Sequence, residues 1–285
     1  MTKTTSAEKM QCMELWGGNR KTDRSFEMPG LRAWIYSQPF ENSDRGGDVY
    51  FLSSCASGRI TRILLADISG HGDEAAELGV SLRDLMRNNV NFVSQSRMVE
   101  QLNRQFGAHA VKGEFASALL ATYFAPTKNL TLSNAGHPTP FLFDSAKAEW
   151  FASRTTATHH AGISNIPLGI VDQTTFDQTT FRLQHGDLFL CFSDGLIECA
   201  TESGNQLGLS GLLDVINDLD RSNPAHFIPD LLARISQLSE GNLTADDVSV
   251  MLFQATESST SFQDNILAPF RLLRPVTDST DMSGQ

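Results

Sequence analysis

The chain lacks the features that mark membrane and secreted proteins. No stretch of its 285 residues approaches the ~18 consecutive apolar residues that a membrane-spanning helix requires, although 40% of the residues are hydrophobic and can build a core. The polar N-terminal segment, MTKTTSAEKMQCMELWGGNRK, has no apolar central region of the kind found in secretory signals. These absences predict a soluble, cytoplasmic protein without a membrane partner.

Cysteine pairs and basic residues are also scarce. The cysteines show neither a CxxC pair nor the spacing of zinc ligands, so reduced thiols are expected at Cys12, Cys55, Cys191 and Cys199. The 22 basic and 33 acidic residues give a net charge of −11, which disfavours binding to nucleic-acid phosphates. A GxxxxGK[ST] loop is missing too, which argues against nucleotide binding. An acidic balance instead suits a chain that binds cations.

The hydrophobic pattern changes its period along the chain. Leu78, Leu82, Leu85 and Met86 share one helical face, and similar patterns predict helices at 98–106, 209–219 and 225–238. Alternating or continuous apolar runs predict strands at 31–36, 59–67, 117–124, 129–133, 139–143, 149–152, 188–193 and 248–254. This order predicts two packed sheets with helices outside them.

The composition divides the chain into one domain with two short terminal segments. Residues 1–30 lack sustained periodicity and end in a turn at Pro29-Gly30, so they are interpreted as an N-terminal extension. Residues 31–255 form the domain. Residues 256–285 are rich in Ser and Thr, and we expect them to be mobile or loosely docked.

Acidic residues beside glycine or another acid follow or precede the predicted strands. They are Asp48 in GGD, Asp67 in DISGHG, Asp194 in SDG, and Asp246 with Asp247. One such motif usually marks a turn, but four at rigid strand ends can place carboxylates around a pair of metal ions. Mg²⁺ and Mn²⁺ prefer such oxygen ligands, and two ions roughly 3.5–4 Å apart activate water for attack on a phosphoryl group. The motifs therefore predict a metal-dependent phosphoester hydrolase.

Six short motifs occur together in one order: GGD, DISGHG, NAGHP, IPLGI, GDLFLCFSDGLIE and DDVSVMLF. From about Leu31 to Gln254, the chain resembles the metal-dependent protein phosphatases (PPM, protein phosphatase 2C-like), specifically their bacterial SpoIIE/RsbU-like branch. The resemblance implies an α+β fold, an αββα sandwich of two antiparallel sheets flanked by helices, with the metal site at one end. It implies a protein serine/threonine phosphatase that uses water activated by two divalent cations, Mn²⁺ or Mg²⁺.

The resemblance also implies roles for particular residues. The metal ligands, through which catalysis would proceed, are Asp48, Asp67, the backbone carbonyl of Ile68, Asp194 and Asp246, with Asp247 as the fallback. His71 is a candidate general acid, because its pKa lies near the working pH, and a loop-shaping role is the alternative. The sequence departs from its relatives at Phe51, where the branch often has an acid, and at Ser43, where eukaryotic relatives have arginine.

The resemblance implies a phosphorylated regulatory protein as substrate, for example a STAS-domain anti-anti-sigma factor. The short N-terminal extension leaves no room for the sensor domain usual in the family. Regulation is therefore expected through a partner, an oligomer contact such as a homodimer, or the terminal segments. Two alternatives stay open: a metal-dependent hydrolase of a small phosphoester, and a catalytically inactive phosphatase-like scaffold that binds partners.

Overall fold

The computed structural model describes residues 7–10, 13–18, 20–40, 46–55, 58–70, 73–110, 113–153, 165–257 and 277–278. Within these ranges the strands are β1 Glu8–Lys9, β2 Met13–Gly17, β3 Thr22–Met28, β4 Leu31–Gln38, β5 Asp48–Cys55, β6 Ile60–Ile68, β7 Ala116–Phe124, β8 Asn129–Ala135, β9 Phe141–Asp144, β10 Glu149–Ala152, β11 Thr179–Arg182, β12 Leu188–Phe192, β13 Val248–Ala255 and β14 Thr277–Asp278. The helices are α1 Asp73–Asn89, α2 Gln95–His109, α3 Asp194–Ile197, α4 Gly208–Asn217 and α5 Pro224–Leu238.

The strands form two seven-stranded sheets. One has the order β1-β3-β4-β13-β12-β9-β10, and the other has the order β11-β8-β7-β6-β5-β2-β14. Most neighbours run antiparallel, as expected, and two short edge strands are exceptions. The short strand β1 runs parallel to β3, and β14 runs parallel to β2.

Three apolar layers hold the sheets and helices together. Between the sheets, Ile35, Leu52 and Phe189 belong to one buried cluster. On the outer face of the second sheet, a cluster joins its strands to α1 and α2, and on the outer face of the first sheet another cluster joins its strands to α4 and α5. Strands covered on both faces are buried along their whole length, as β5 and β12 are. The layer order is therefore αββα.

The N-terminal stretch differs from its sequence expectation. Residues treated as an irregular extension form β2 and β3, which pair with β5 and β4, and Phe26 and Leu15 are buried in the core between the sheets. The sequence of β3 shows no alternating apolar pattern, because most of this strand is half exposed and only Phe26 and Met28 are buried. Pro29-Gly30 does form the turn into β4, with Gly30 at φ 79°.

Two further expectations concern the thiols and the ends of the chain. Cys55, Cys191 and Cys199 are buried thiols that form no disulfide among the described residues, whereas Cys12 lies outside these residues. Most of 258–285 also lies outside them, apart from β14. In the part of the chain that the structure covers, no helix has the length and apolar character needed to cross a bilayer.

Candidate metal centre

The two central strands of the second sheet bring two of the predicted ligands face to face. Asp48 begins β5, Asp67 lies one residue before the end of β6, and the two are direct partners in the antiparallel register. Such cross-strand partners have Cβ atoms about 4.5–5.5 Å apart. Asp48 is buried, and Asp67 is half-buried. This pair therefore forms one side of the candidate site.

The first sheet supplies the other acidic residues at the same end of the sandwich. Asp194 follows β12 as the first residue of α3, and Asp246 and Asp247 precede β13. A two-way link holds these strand ends together, because Ser193 N donates to Ser249 O (2.9 Å) and Ser249 N donates to Ser193 Oγ (2.9 Å).

Asp247 joins the two sheets through its carboxylate. Its Oδ1 accepts a hydrogen bond from Phe40 N (2.6 Å), and its Oδ2 accepts from Gly47 N (2.5 Å) and Asp48 N (3.2 Å). A Cβ at Gly46 would lie 2.4 Å from Oδ2, so only glycine lets the chain approach this carboxylate. With both oxygens engaged by backbone N–H groups, Asp247 is placed to fix the GGD loop.

Asp246 presents its carboxylate differently from its neighbour. The residue is exposed, its Oδ1 accepts from Asp247 N (2.7 Å), and no hydrogen bond to its Oδ2 is present among the described residues. An oxygen of Asp246 is therefore available to a cation. This contrast favours Asp246 over Asp247 as a ligand, in line with the order of preference taken from the sequence.

Gly47 leaves a small space lined by oxygen atoms. A Cβ added there would lie 2.8 Å from the carbonyl oxygen of Ile68, 3.4 Å from Asp67 Oδ1 and 3.7 Å from the carbonyl oxygen of Gly70. The next residue, Asp48, has a buried Oδ2 that receives no hydrogen bond from any described residue. A buried carboxylate oxygen without a donor is costly unless a cation or a proton neutralises it. The space and its donors thus fit a hard cation.

The pKa values show that the carboxylates share one electrostatic environment. Burial raises the pKa of Asp67 to about 7, and repulsion from Asp194, Asp246, Asp247 and Glu198 adds to the rise. Burial likewise raises the pKa of Asp194, with Asp246 as the largest charge contribution. Burial also raises the pKa of Asp48 well above its usual range, although the hydroxyls of Ser193 and Ser249 oppose this. Cations would relieve this repulsion.

The described side chains of the site do not by themselves complete the coordination shell of a metal ion. Within the described ranges, no three His, Cys, Asp or Glu side chains surround one point closely enough to enclose an ion. A cation bound here would therefore take water and the Ile68 carbonyl oxygen as ligands, in addition to carboxylates. Mg²⁺ and Mn²⁺ bind in this manner, with one or two carboxylates and several waters.

Sequence reasoning missed Glu198 as a member of the site. Glu198 lies four residues after Asp194, its N–H donates to the Asp194 carbonyl (2.9 Å), and its pKa is raised by burial and by the charges of Asp194 and Asp246. The i, i+4 spacing within SDGLIE could have identified it, because residues so spaced lie on one helical face. Glu198 therefore adds a sixth carboxylate to the five aspartates of the site.

Other singled-out residues have structural roles or lie outside the described part of the chain. His137 is buried, its Nδ1 lies 2.8 Å from Ser117 Oγ, and burial lowers its pKa to about 3, so it is neutral. Its main chain exchanges two hydrogen bonds with the Asn134 side chain, which fixes the local turn of the chain. Phe51 is fully buried between β5 and the helices, which explains why no acid is found there. His71, Ser43 and the pair His159-His160 lie outside the described residues.

Without metal, the stability of the folded protein should fall as the pH rises. Asp48, Asp67 and Asp194 have pKa values above those of the unfolded chain, so the folded state holds more protons. The favourable contribution of Asp67 is full below about pH 4, where both states are protonated, and is lost as the pH rises through about 7. Asp48 and Asp194 contribute in the same direction. Urea unfolding in EDTA at about pH 5.5 and 7.5 should give the larger unfolding free energy at the lower pH. Replacing Asp67 by Asn should flatten this dependence, and a parent profile that rises with pH would contradict the assignment.

Comparison with known proteins agrees with this architecture. The family model for Stage II sporulation protein E (SpoIIE) matches residues 57–256, more than half of the chain. Phosphoserine phosphatase RsbU of Bacillus subtilis (strain 168) is 26% identical over 144 residues, which cover 50% of this chain and 40% of RsbU. The chain thus spans about two fifths of the length of that relative.

Two solved structures share the fold. The PP2C phosphatase domain of SpoIIE from Bacillus subtilis superposes with a TM-score of 0.64 at 15% identity, covering 82% of this chain and 64% of that one. RsbX in complex with magnesium superposes with a TM-score of 0.59 at 17% identity, covering 82% of this chain and 100% of that one. The predicted αββα sandwich is confirmed as the PP2C-type fold. On the match over residues 57–256, the protein belongs to the SpoIIE family.

Proposed function

We propose that the chain is a metal-dependent protein serine/threonine phosphatase that hydrolyses phosphoserine or phosphothreonine on a regulatory partner protein. One observation carries the proposal: strand ends from both sheets bring Asp48, Asp67, Asp194 and Asp246 into one environment, where burial and the charges of neighbouring aspartates raise the pKa values of Asp48, Asp67 and Asp194. Such a cluster is unfavourable without cations. The family membership and the phosphatase names of RsbU and the SpoIIE domain support the same activity.

The proposed ligands divide between the two sheets. Asp48, Asp67 and the Ile68 carbonyl oxygen would bind from the second sheet, and Asp194 and Asp246 from the first. Two bound Mg²⁺ or Mn²⁺ ions would supply a water of lowered pKa and neutralise the charge on the phosphoryl oxygens. Asp247 keeps the backbone of Gly47 and Asp48 in position, so the Gly47 space stays open. His71 stays a prediction as the general acid.

Several observations support a protein substrate in the cytoplasm. Asp246 and Glu198 are exposed, so the site lies open at the surface, where a phosphorylated loop of another protein can reach it. The relative RsbU is named a phosphoserine phosphatase. We therefore extend the proposal to a phosphorylated STAS-domain anti-anti-sigma factor as the substrate, and to a homodimer or partner contact as the means of regulation. The buried thiols suit a reducing compartment.

The alternatives differ in their requirement for the acidic residues and in their substrate. A scaffold without catalysis would have no need of a buried, unpartnered oxygen at Asp48 or of the oxygen-lined space at Gly47. A hydrolase of small phosphoesters would use the same metals, so only substrate comparison separates it. Phosphate release from a phosphorylated STAS protein of the same genome, compared with free nucleotide and p-nitrophenyl phosphate, makes that comparison. Preference for the small esters would replace the protein-phosphatase proposal.

Phosphate release should depend on added divalent cations. The open, carboxylate-based site binds Mg²⁺ or Mn²⁺ modestly, so activity is expected to rise over a range of about 0.1–10 mM metal. Dialysis against EDTA should abolish turnover, and Mn²⁺ or Mg²⁺ should restore it. Turnover that survives exhaustive EDTA treatment would remove the two-metal hypothesis.

A further inference from the structure

A cavity lies at the opposite end of the sandwich from the acidic site. It measures about 610 Å³ and is bordered by the α1–α2 turn and by one end of β5–β8. Cys55 and Ile60 line it, and these residues are the last of β5 and the first of β6, whose other ends carry Asp48 and Asp67. Eight strand residues separate the two ends by roughly 20 Å. The cavity is therefore separate from the candidate metal centre, and its volume is typical of a small-molecule site.

A buried guanidinium supplies the charge in the described lining of this cavity. Arg62 on β6 is 2% exposed, and burial lowers its pKa only to about 10, so it is charged at neutral pH. Nη1 donates to the Thr122 hydroxyl, Nη2 donates to the Phe92 carbonyl, and Nε has no hydrogen-bond partner. None of the ion pairs among the described residues includes Arg62. A buried cation without an anion is costly, so this position favours an anionic ligand.

The described residues around Arg62 combine neutral polar and apolar side chains and include no acid. Of the described residues that line the cavity, none is acidic, although the chain as a whole has a net charge of −11. The N-terminus of α2 also borders the cavity, with Ser94 as the N-cap and no acid in the first turn, which adds a favourable dipole for an anion. The apolar part of the lining and rim consists of Ile60, Val90, Phe92, Val93 and Phe124.

We propose that this cavity binds a small organic monocarboxylate with an apolar body, whose carboxylate pairs with Arg62. A guanidinium accommodates a carboxylate through charged hydrogen bonds, and Arg62 lines the cavity without an acidic side chain beside it among the described residues. The apolar lining would cover the body of the ligand. A phosphate dianion would bring two negative charges against one buried positive charge, so a singly charged head group fits better. The proposal is independent of the phosphatase activity.

The test uses three eight-carbon probes on the full chain in EDTA: octanoate, 1-octanol and octyl phosphate. Isothermal titration calorimetry and thermal shift should show octanoate binding once per chain. Octanol should bind about 10- to 100-fold more weakly, the factor expected for losing a charged hydrogen bond, and octyl phosphate should also bind more weakly. Absence of octanoate binding, equal affinity for octanol, or tighter binding of octyl phosphate would each overturn the proposal.

Matched variants locate the site. Val93 on the rim is 98% exposed, so Val93→Asp adds a negative charge without disturbing packing, and it should weaken octanoate binding about tenfold. Val80 on α1 is 41% exposed and lies outside the cavity, so Val80→Asp should bind like the parent. Arg62→Met should lose the preference for octanoate over octanol. If Arg62→Met does not fold, the Val93→Asp and Val80→Asp pair decides, and equal octanoate affinity in these two variants would place the ligand elsewhere.

Discussion

Replacing Asp194 by Asn is expected to lower phosphate release by about two orders of magnitude or more, because the variant loses a metal ligand at the proposed site. Asn keeps the size of the side chain and removes its negative charge. Asp194 begins α3, and its backbone carbonyl accepts the N–H of Glu198, a contact that the substitution leaves in place. The effect on turnover should therefore not come from unfolding.

The same variant should respond in the opposite direction when stability is measured without metal. Burial and the charge of Asp246 raise the pKa of Asp194, so its ionised form opposes the folded state. Metal-free Asp194→Asn should be at least as stable as the metal-free parent, and stabilisation by Mn²⁺ should shrink because binding to the folded state is weaker. Melting curves in EDTA and in Mn²⁺ measure both effects.

Asp214→Asn provides a matched control, because Asp214 lies exposed on α4, outside the site. It should leave phosphate release and the Mn²⁺ response at parental values. An Asp194→Asn variant that melts well below the parent in EDTA would make Asp194 a structural residue. Parental turnover in that variant would remove it from the site.

The parts of the fold that the sequence predicted are those with strong periodicity. The apolar face of Leu78, Leu82 and Met86 appears as α1 packed on the second sheet, and the apolar runs at 188–193 and 248–254 appear as adjacent strands β12 and β13. These segments bury most of their surface, so hydrophobic pattern determines their structure. Asp67, Asp194 and Asp246 were likewise placed at strand ends, because each adjoins a predicted apolar run. The predicted strands include none beside Asp48, although Asp48 begins β5.

The parts that the sequence did not predict depend on pairing and on distant partners. Strand β3 has polar residues over most of its length. It forms a strand because it pairs with β4 through backbone hydrogen bonds, and this pairing cannot be predicted from the local hydrophobic pattern. The interaction of Asp247 with Phe40, Gly47 and Asp48 spans about two hundred positions of sequence. Sequence could rank Asp246 above Asp247 only by resemblance, whereas the hydrogen bonds give a physical reason for the choice.

The neighbouring aspartates should therefore separate stability from catalysis. In the parent, both carboxylate oxygens of Asp247 accept hydrogen bonds from backbone N–H groups. Asp247→Asn replaces one of these oxygens by an NH₂ group, which cannot accept, so buried backbone donors lose their partner. The expected loss is about 2–5 kcal/mol of unfolding free energy, because the bonds involve a charged acceptor and a buried backbone. Urea unfolding in EDTA measures this loss.

Asp246→Asn is the matched substitution one residue earlier. Its side chain is exposed and accepts one described hydrogen bond, from the N–H of Asp247, which the amide oxygen of Asn can still accept. Its unfolding free energy in EDTA should stay within about 0.5 kcal/mol of the parent, as for other surface changes. Phosphate release and stabilisation by Mn²⁺ should both fall, because a metal ligand is weakened. The reverse result, with Asp246→Asn unstable and Asp247→Asn stable but insensitive to Mn²⁺, would exchange the two roles and make Asp247 the ligand.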